Sequence, residues 1–224
     1  MQYYLIRLTT LGVLTVVSQS VFASAPPTAE LKVTGQIVPA ACTVKLANNI
    51  DYGNIIAASL KTDKTNPLNE KDVGLTINCD ANAKLALSVL DNHAGTASTG
   101  LGTDNTILGV AGLPDADFFG LNLSGGRNIG GYAVALKSVT VDSVATDVLG
   151  SPDKTTWTKS ADGLLDPTGT KVVSWGASGT STPLAGKAVA GTVAVQAVID
   201  KGSNLDLNNP INLDGSATLT VSYL

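Results

Sequence analysis

The chain has 224 residues with 14 basic and 18 acidic side chains and one histidine, a net charge of −4 at pH 7. No basic stripe appears, so nucleic acid is not an expected partner. Charged residues are few and small and β-branched residues are abundant, a composition that suits a tightly packed β-protein rather than a solvated coil.

Residues 1–23 read as a signal peptide. Arg7 is the only charge there, an apolar run follows at Leu11–Val17, and Val21-Phe22-Ala23 offers a signal peptidase site. Cleavage after Ala23 leaves Ser24 first. Cleavage after Ala25 also satisfies the small-x-small rule but puts Pro26 directly after the cut. The apolar run is too short to span roughly 30 Å of hydrocarbon, which argues against a membrane anchor. Losing 23 residues and Arg7 leaves a mature chain with 13 basic and 18 acidic groups, a net charge of −5.

Pro26 and Pro27 lack backbone donors, and the segment around them reads as a mobile leader. From Ala29 the pattern becomes strand-like: Ala29, Leu31, Val33 and Gly35 fall on one face. Pro39 is expected at an edge or bulge. A short strand is expected at Tyr52–Ile56, then a polar connection over Thr62–Asp72.

Val73–Cys79 and Lys84–Leu90 both alternate, and Asp80-Ala-Asn82 between them reads as a turn, giving two consecutive strands. Asn92–Pro114 reads as a long loop, Phe118–Leu123 as a short strand, Tyr132–Val144 as a strong strand whose alternation blurs after Lys137. Ser151–Gly169 and Gly176–Gly186 are polar and turn-rich, around a short strand at Val172–Trp175. Val189–Ile199 is a second strong strand. Asn204–Gly215 carries turn signals at Asn208-Asn-Pro210 and Asp214-Gly215. The last nine residues, SATLTVSYL, alternate strictly: Ala217, Leu219, Val221 and Tyr223 on one face, Ser216, Thr218, Thr220 and Ser222 on the other. With no capped amphipathic helix and seven to nine strands, the fold class is all-β, a β-sandwich in one domain.

Cys42 and Cys79 are the only cysteines. An even count in an exported chain reads as a disulfide, with two buried free thiols as the alternative. The link would close a loop of about 38 residues, stabilising by roughly 4 kcal/mol. Two cysteines and one histidine cannot fill a tetrahedral metal shell without carboxylates. His93 lies in a polar turn, no Gly-x-Ser-x-Gly elbow occurs, and the carboxylate pairs Asp115/Asp117 and Asp162/Asp166 read as loop polar groups, so no catalytic residue, cofactor or enzyme activity is expected. Asp200–Asp206 supplies oxygens at alternate positions but lacks the glycine and distal glutamate of a calcium loop. Trp157, Trp175 and Tyr132 would form a sugar-stacking surface if exposed and core anchors if buried.

Four stretches together resemble the pilin subunits of bacterial chaperone–usher fimbriae, the type 1 family: KVTGQIVPAACTV around Cys42, GLTINCD around Cys79, VAVQAVID near Val193, and SATLTVSYL with its penultimate Tyr223. The chain departs in being longer than a typical major pilin and in carrying Ile211 where many pilins have glycine, fourteen residues from the end. The resemblance implies an immunoglobulin-like sandwich lacking one strand, with residues 24–34 as an N-terminal extension and 35–224 as the pilin-like domain. It implies that Ala29, Leu31, Val33 and Gly35 form a donor strand that completes a neighbouring subunit. Ala217, Leu219, Val221, Tyr223 and Leu224 would form the edge met by a periplasmic chaperone and then by the incoming strand, the Leu224 carboxylate serving as anchor. The partners implied are neighbouring subunits, a periplasmic chaperone and an outer-membrane usher. The destination implied is the cell surface, reached through the periplasm, with a contribution to adhesion. The competing expectation is a secreted or periplasmic β-sandwich module that binds carbohydrate.

Overall fold

The computed structural model describes residues 28–36 and 40–224. The signal peptide expected at 1–23 lies outside the described residues, as do 24–27 of the leader and the bulge expected at Pro39. Residues 28–36 form a body separate from the main domain. They carry no strand, Leu31 and Val33 are exposed, and Lys32 Nζ lies 3.8 Å from Glu30 Oε2. The strand-like pattern that begins at Ala29 therefore becomes a strand only at Cys42.

Seven principal strands build the main domain: β1 (Cys42–Leu46), β2 (Lys71–Asp91), β3 (Gly130–Val141), β4 (Val144–Ser151), β5 (Val172–Ala177), β6 (Ala185–Ile199) and β7 (Ala217–Tyr223). Helix is confined to three single 3-10 turns among the described residues. The all-β expectation holds. All the pairings among these strands are antiparallel.

β2 is the spine. Its N-terminal half pairs with β1 on one side and β6 on the other, and β6 pairs onward with β3. Its C-terminal half pairs with β7 and touches β5, and β5 pairs onward with β4. The β3–β4 hairpin joins the two sets, so β2, β6, β3, β4 and β5 close into a five-strand barrel. β1 and β7 lie outside that ring, one after the other along β2.

Two expected strands have thus become one. Asp80-Ala-Asn82 does not turn the chain: the strand runs on through it, and odd-numbered side chains are buried both before it, at Val73, Leu75 and Ile77, and after it, at Ala83, Leu85, Leu87 and Val89, although Ala81 itself is exposed. The polar stretch is instead a gap in pairing: β6 registers Gly186 with Ala83 and Ala188 with Asn78, leaving the residues between without a β6 partner. Asp80 exchanges bonds with Ala41, its Oδ1 accepting Ala41 N–H at 2.9 Å and its own N–H donating to Ala41 O at 3.1 Å.

The converse correction applies at Tyr132–Val144, which contains the end of one strand and the start of another. Ser138, at φ 51°, interrupts the alternation, and β6 shifts register opposite it between Ala190 and Thr192. Asp142 and Ser143, at φ 47° and 71°, then form a two-residue hairpin turn with both central residues left-handed. The Asp142 carboxylate accepts Lys187 and Ala188 N–H groups, which supports the strained turn from outside. No strand forms at Tyr52–Ile56. That segment turns at Gly53, at φ 65° with its N–H donating to Asp51 Oδ1, and leads into a 3-10 turn at Ala57–Ser59.

The core lies inside the ring, where Ile77, Leu85, Leu87 and Trp175 are fully buried. A second cluster lies on the outer face of β3 and β6. There the small residues Ala133, Ala135 and Ala194 leave room for Leu101, Ile107 and Phe118 from the expected loop Asn92–Pro114 and its continuation. This stretch is a built cover, with its own ladder of 106–107 against 110–111, rather than a loose loop.

Candidate functional site: an open groove beside the last strand

β7 presents the feature that most needs explanation. Its alternation puts Ala217, Leu219 and Val221 half-buried against the core, while Thr218 and Thr220 face solvent. Leu224 N–H donates to Lys84 O and Ser216 O accepts Asn92 N–H, so the even-numbered backbone groups point at β2. The N–H and C=O groups of 217, 219, 221 and 223 point the other way by the alternation of an antiparallel ladder. Among the described residues no strand pairs with that side.

Beside this free edge opens a cleft of about 680 Å³. Its floor is core: Val73, Val89, Val134, Val193 and Ala197 all contribute. One wall is residues 46–60, the other residues 205–219. The floor side chains are themselves buried, from 0% exposed at Ala197 to 5% at Val73, so the two walls cover the core and the cleft runs between them.

The first wall follows β1 and is tied down by two devices. The Cys42–Cys79 disulfide bonds β1 to β2 where the two residues already face each other in register. Tyr52 reaches across to β6, its hydroxyl donating to Val195 O at 3.1 Å and accepting Ala197 N–H at 3.0 Å. Burial pushes the Tyr52 hydroxyl above its ordinary pKa, so it remains a neutral donor at any physiological pH. Lys71 adds to the clamp: its ammonium donates to Asp51 O at 2.7 Å and lies 5.4 Å from the centre of the Tyr52 ring.

Tyr132 stands at the far end of the cleft, stacked on Phe119 with ring centres 5.2 Å apart. Burial, and then the nearby Asp91 charge, raise its pKa. Asp91 itself is buried and accepts the N–H groups of His93 and Gly120 at 2.9 and 2.8 Å, which fixes the chain leaving β2. Gly215 passes directly over the Tyr132 ring, where a Cβ would lie 2.7 Å from Cε1.

The expected residues fall as follows. Cys42 and Cys79 form the disulfide. Ala217, Leu219 and Val221 line the groove side of β7. Tyr223 is half-exposed, and its hydroxyl accepts Cys42 N–H at 3.1 Å, which ties the end of β7 to the start of β1. Leu224 is also partly exposed. Ala29, Leu31, Val33 and Gly35 lie in the separate N-terminal body. Tyr52 and the wall 205–215 escaped the sequence reading. The signal for the second was present in the alternation of Leu205/Leu207 and Ile211/Leu213, hidden behind Asn208-Asn-Pro210.

Other possibilities lose ground. Trp157 and Trp175 are 8% and 0% exposed and Tyr132 is 8% exposed, so these rings anchor the interior and offer no stacking platform. Asp200 is buried and spends Oδ1 on Lys201 N–H and Asn204 Nδ2, which makes 200–206 an ordinary connection. Among the described residues no three of His, Cys, Asp or Glu are grouped to hold a metal ion.

The fold and groove define an all-β domain in which, among the described residues, one side of β7 is unpaired. Residues 31–135 match a family model described as a protein of unknown function (DUF1120). That span takes in β1, β2, the first wall and the outer cover. The whole chain is similar to the protein GltF of Escherichia coli (strain K12), 27% identical over 242 residues that cover 94% of this chain and 94% of that protein. Neither description names an activity, so a functional reading has to rest on the groove.

Proposed function

We propose that this protein is a structural subunit of a bacterial surface fimbria, joined to its neighbours by strand exchange. In this reading the fold is an immunoglobulin-like sandwich that lacks one strand, and the cleft is the place of the missing strand. The carrying observation is the coincidence of two features: β7 has an unpaired edge, and a cleft floored by core side chains runs alongside it. One extended segment with alternating apolar side chains suits both, since its backbone pairs with β7 and its side chains fill the cleft.

The chain supplies such a segment. Ala29, Leu31, Val33 and Gly35 alternate with Glu30, Lys32 and Thr34, and Leu31 and Val33 are 88% and 90% exposed. Delivered to a neighbouring copy, their inward set is apolar and their outward set polar. A periplasmic chaperone would hold the same edge before assembly, and an outer-membrane usher would receive the subunit. Export through the periplasm and a contribution to adhesion at the cell surface follow from this reading.

Mature protein purified from the periplasm, with and without residues 24–34, tests it. Multimers that survive SDS and vanish on deletion, or a co-purifying chaperone, are the expected outcome. Leu31→Asp with Val33→Asp should leave the subunit folded with its chaperone yet unable to add to a neighbour, because an unpaired charge is costly to bury. A stable cooperative monomer that needs no chaperone, or normal polymer from the double variant, would contradict the proposal.

A further inference from the structure

We propose that residues 205–215 are a displaceable strap over the groove, which shelters the core while the groove is empty and yields to the incoming strand. This rests on the reading of the groove as a strand acceptor and adds how the site is guarded.

The strap has a strand's pattern without a strand's bonds. Leu205, Leu207, Ile211 and Leu213 alternate with Asp206, Asn212 and Asp214 on either side of Asn208-Asn-Pro210. Leu205, Ile211 and Leu213 are half-buried against the core cluster. Yet among the described residues the backbone of 206–213 makes no hydrogen bond outside the segment. Its recorded bonds are local, with the Asp206 carboxylate accepting Asn208 N–H and the side chains of Asn208 and Asn209.

Both ends are fastened. Gly202 and Ser203 N–H groups donate to Lys61 and Thr62 carbonyls at 2.9 and 3.0 Å. At the other end Asp214 N–H donates to Leu121 O at 3.3 Å, and Asn122 Nδ2 donates to Asp214 Oδ2 at 3.1 Å. A span anchored at its ends and free between them moves without unfolding the body.

The energetics favour replacement. The strap covers apolar floor but leaves the odd-numbered backbone groups of β7 without a protein partner. An inserted strand covers the same floor and pairs that edge as well. The strap therefore loses only in competition with a segment that brings both apolar side chains and an unbonded backbone, and in the meantime it limits the exposed apolar surface that invites nonspecific association.

The alternative role is a rigid wall, and the two predict opposite signs. The probe is a fluorescent peptide of residues 28–36, added in excess to the full mature chain and followed by anisotropy. Ile211→Ser with Leu213→Ser should speed peptide uptake roughly tenfold, because two half-buried aliphatic side chains no longer hold the strap closed. In a second variant, Ile211→Cys, thiol labelling should quicken several-fold when the peptide binds, since binding lifts the strap. Slower or weaker uptake by the double variant, or labelling at 211 that slows or stays constant on binding, would overturn the strap and leave the acceptor groove standing. Failure of the unmodified chain to take up the peptide would overturn both.

Discussion

Two stretches lie across apolar strand surfaces, residues 97–118 on the outer face of β3 and β6 and residues 205–215 beside β7, and they are built differently. The first is sealed. Leu101 and Ile107 are 0% exposed, Asn105 Nδ2 donates to Thr65 Oγ1 and Leu101 O at 2.7 Å, and Leu108 N–H donates to Gln196 Oε1 at 2.7 Å. The second buries its leucines and isoleucine only in part and leaves the backbone of 206–213 free of the body. The chain thus spends some twenty residues closing a face that small alanines made shallow, and covers the cleft beside β7 with a span that is only half-buried. The cleft is a local property of one edge and not a general looseness of packing.

The contrast breaks most visibly if the wall opposite the strap is detached. Cys42→Ser with Cys79→Ser should lower unfolding free energy by about 4 kcal/mol on the loop-entropy account. β1 is mostly exposed and is otherwise held by its ladder to β2, so the same change should expose the groove from its other side. Urea unfolding of the oxidised protein and the double variant measures the first effect, and dye binding to apolar surface the second.

The same substitution at the two covers sharpens the comparison. Ile107→Ala should cost about 2–5 kcal/mol, the range for a fully buried isoleucine in a site that collapses incompletely. Ile211→Ala should cost at most about 1 kcal/mol, since its side chain is only partly withdrawn from water. Equal costs in thermal unfolding would remove the distinction between a sealed cover and a strap.

The smallest effect concerns acid. Burial raises the Asp166 carboxyl, but bonds from Lys171 N–H, the Thr170 hydroxyl, and the Thr168 N–H and hydroxyl outweigh it and hold its pKa at about 2. A depressed carboxyl contributes stability that is complete above the unfolded value, about 3.9, and is lost as pH falls through the folded one. Asp117, at the end of the sealed cover, is shifted upward, first by burial, so its protonation relieves strain as pH falls and acts in the opposite sense. Stability should therefore decline gently from about pH 4 to pH 2, and Asp166→Asn should flatten that limb. An unchanged acid limb in the variant would assign the decline to other groups.

Much of this was legible in the sequence because period-two alternation survives folding. β7, β5 and the body of β6 fall close to where their patterns put them, and two cysteines in a chain expected to be exported pointed to the disulfide. Three things were not legible. Asp80-Ala-Asn82 carries turn residues, yet pairing with β1 and the same inward parity on both sides of it carried β2 straight through. The bulge at Ser138 scrambled the alternation that would have separated β3 from β4. Tyr52 looked like a strand residue, but its contribution is a hydroxyl placed between two backbone groups of β6, which depends on tertiary position and leaves no periodic trace. The groove itself was implied only by resemblance, since no local pattern reports a missing neighbour.

Hydrogen exchange at alternate β7 amides tests the central claim most directly. In isolated subunit the Leu219 and Val221 amides should exchange quickly while those of Thr218 and Thr220, bonded to β2, stay protected. In the assembled form all four should be protected. Protection of Leu219 and Val221 already in the isolated subunit, or their rapid exchange in the assembly, would contradict the account of β7 as an edge completed by another copy.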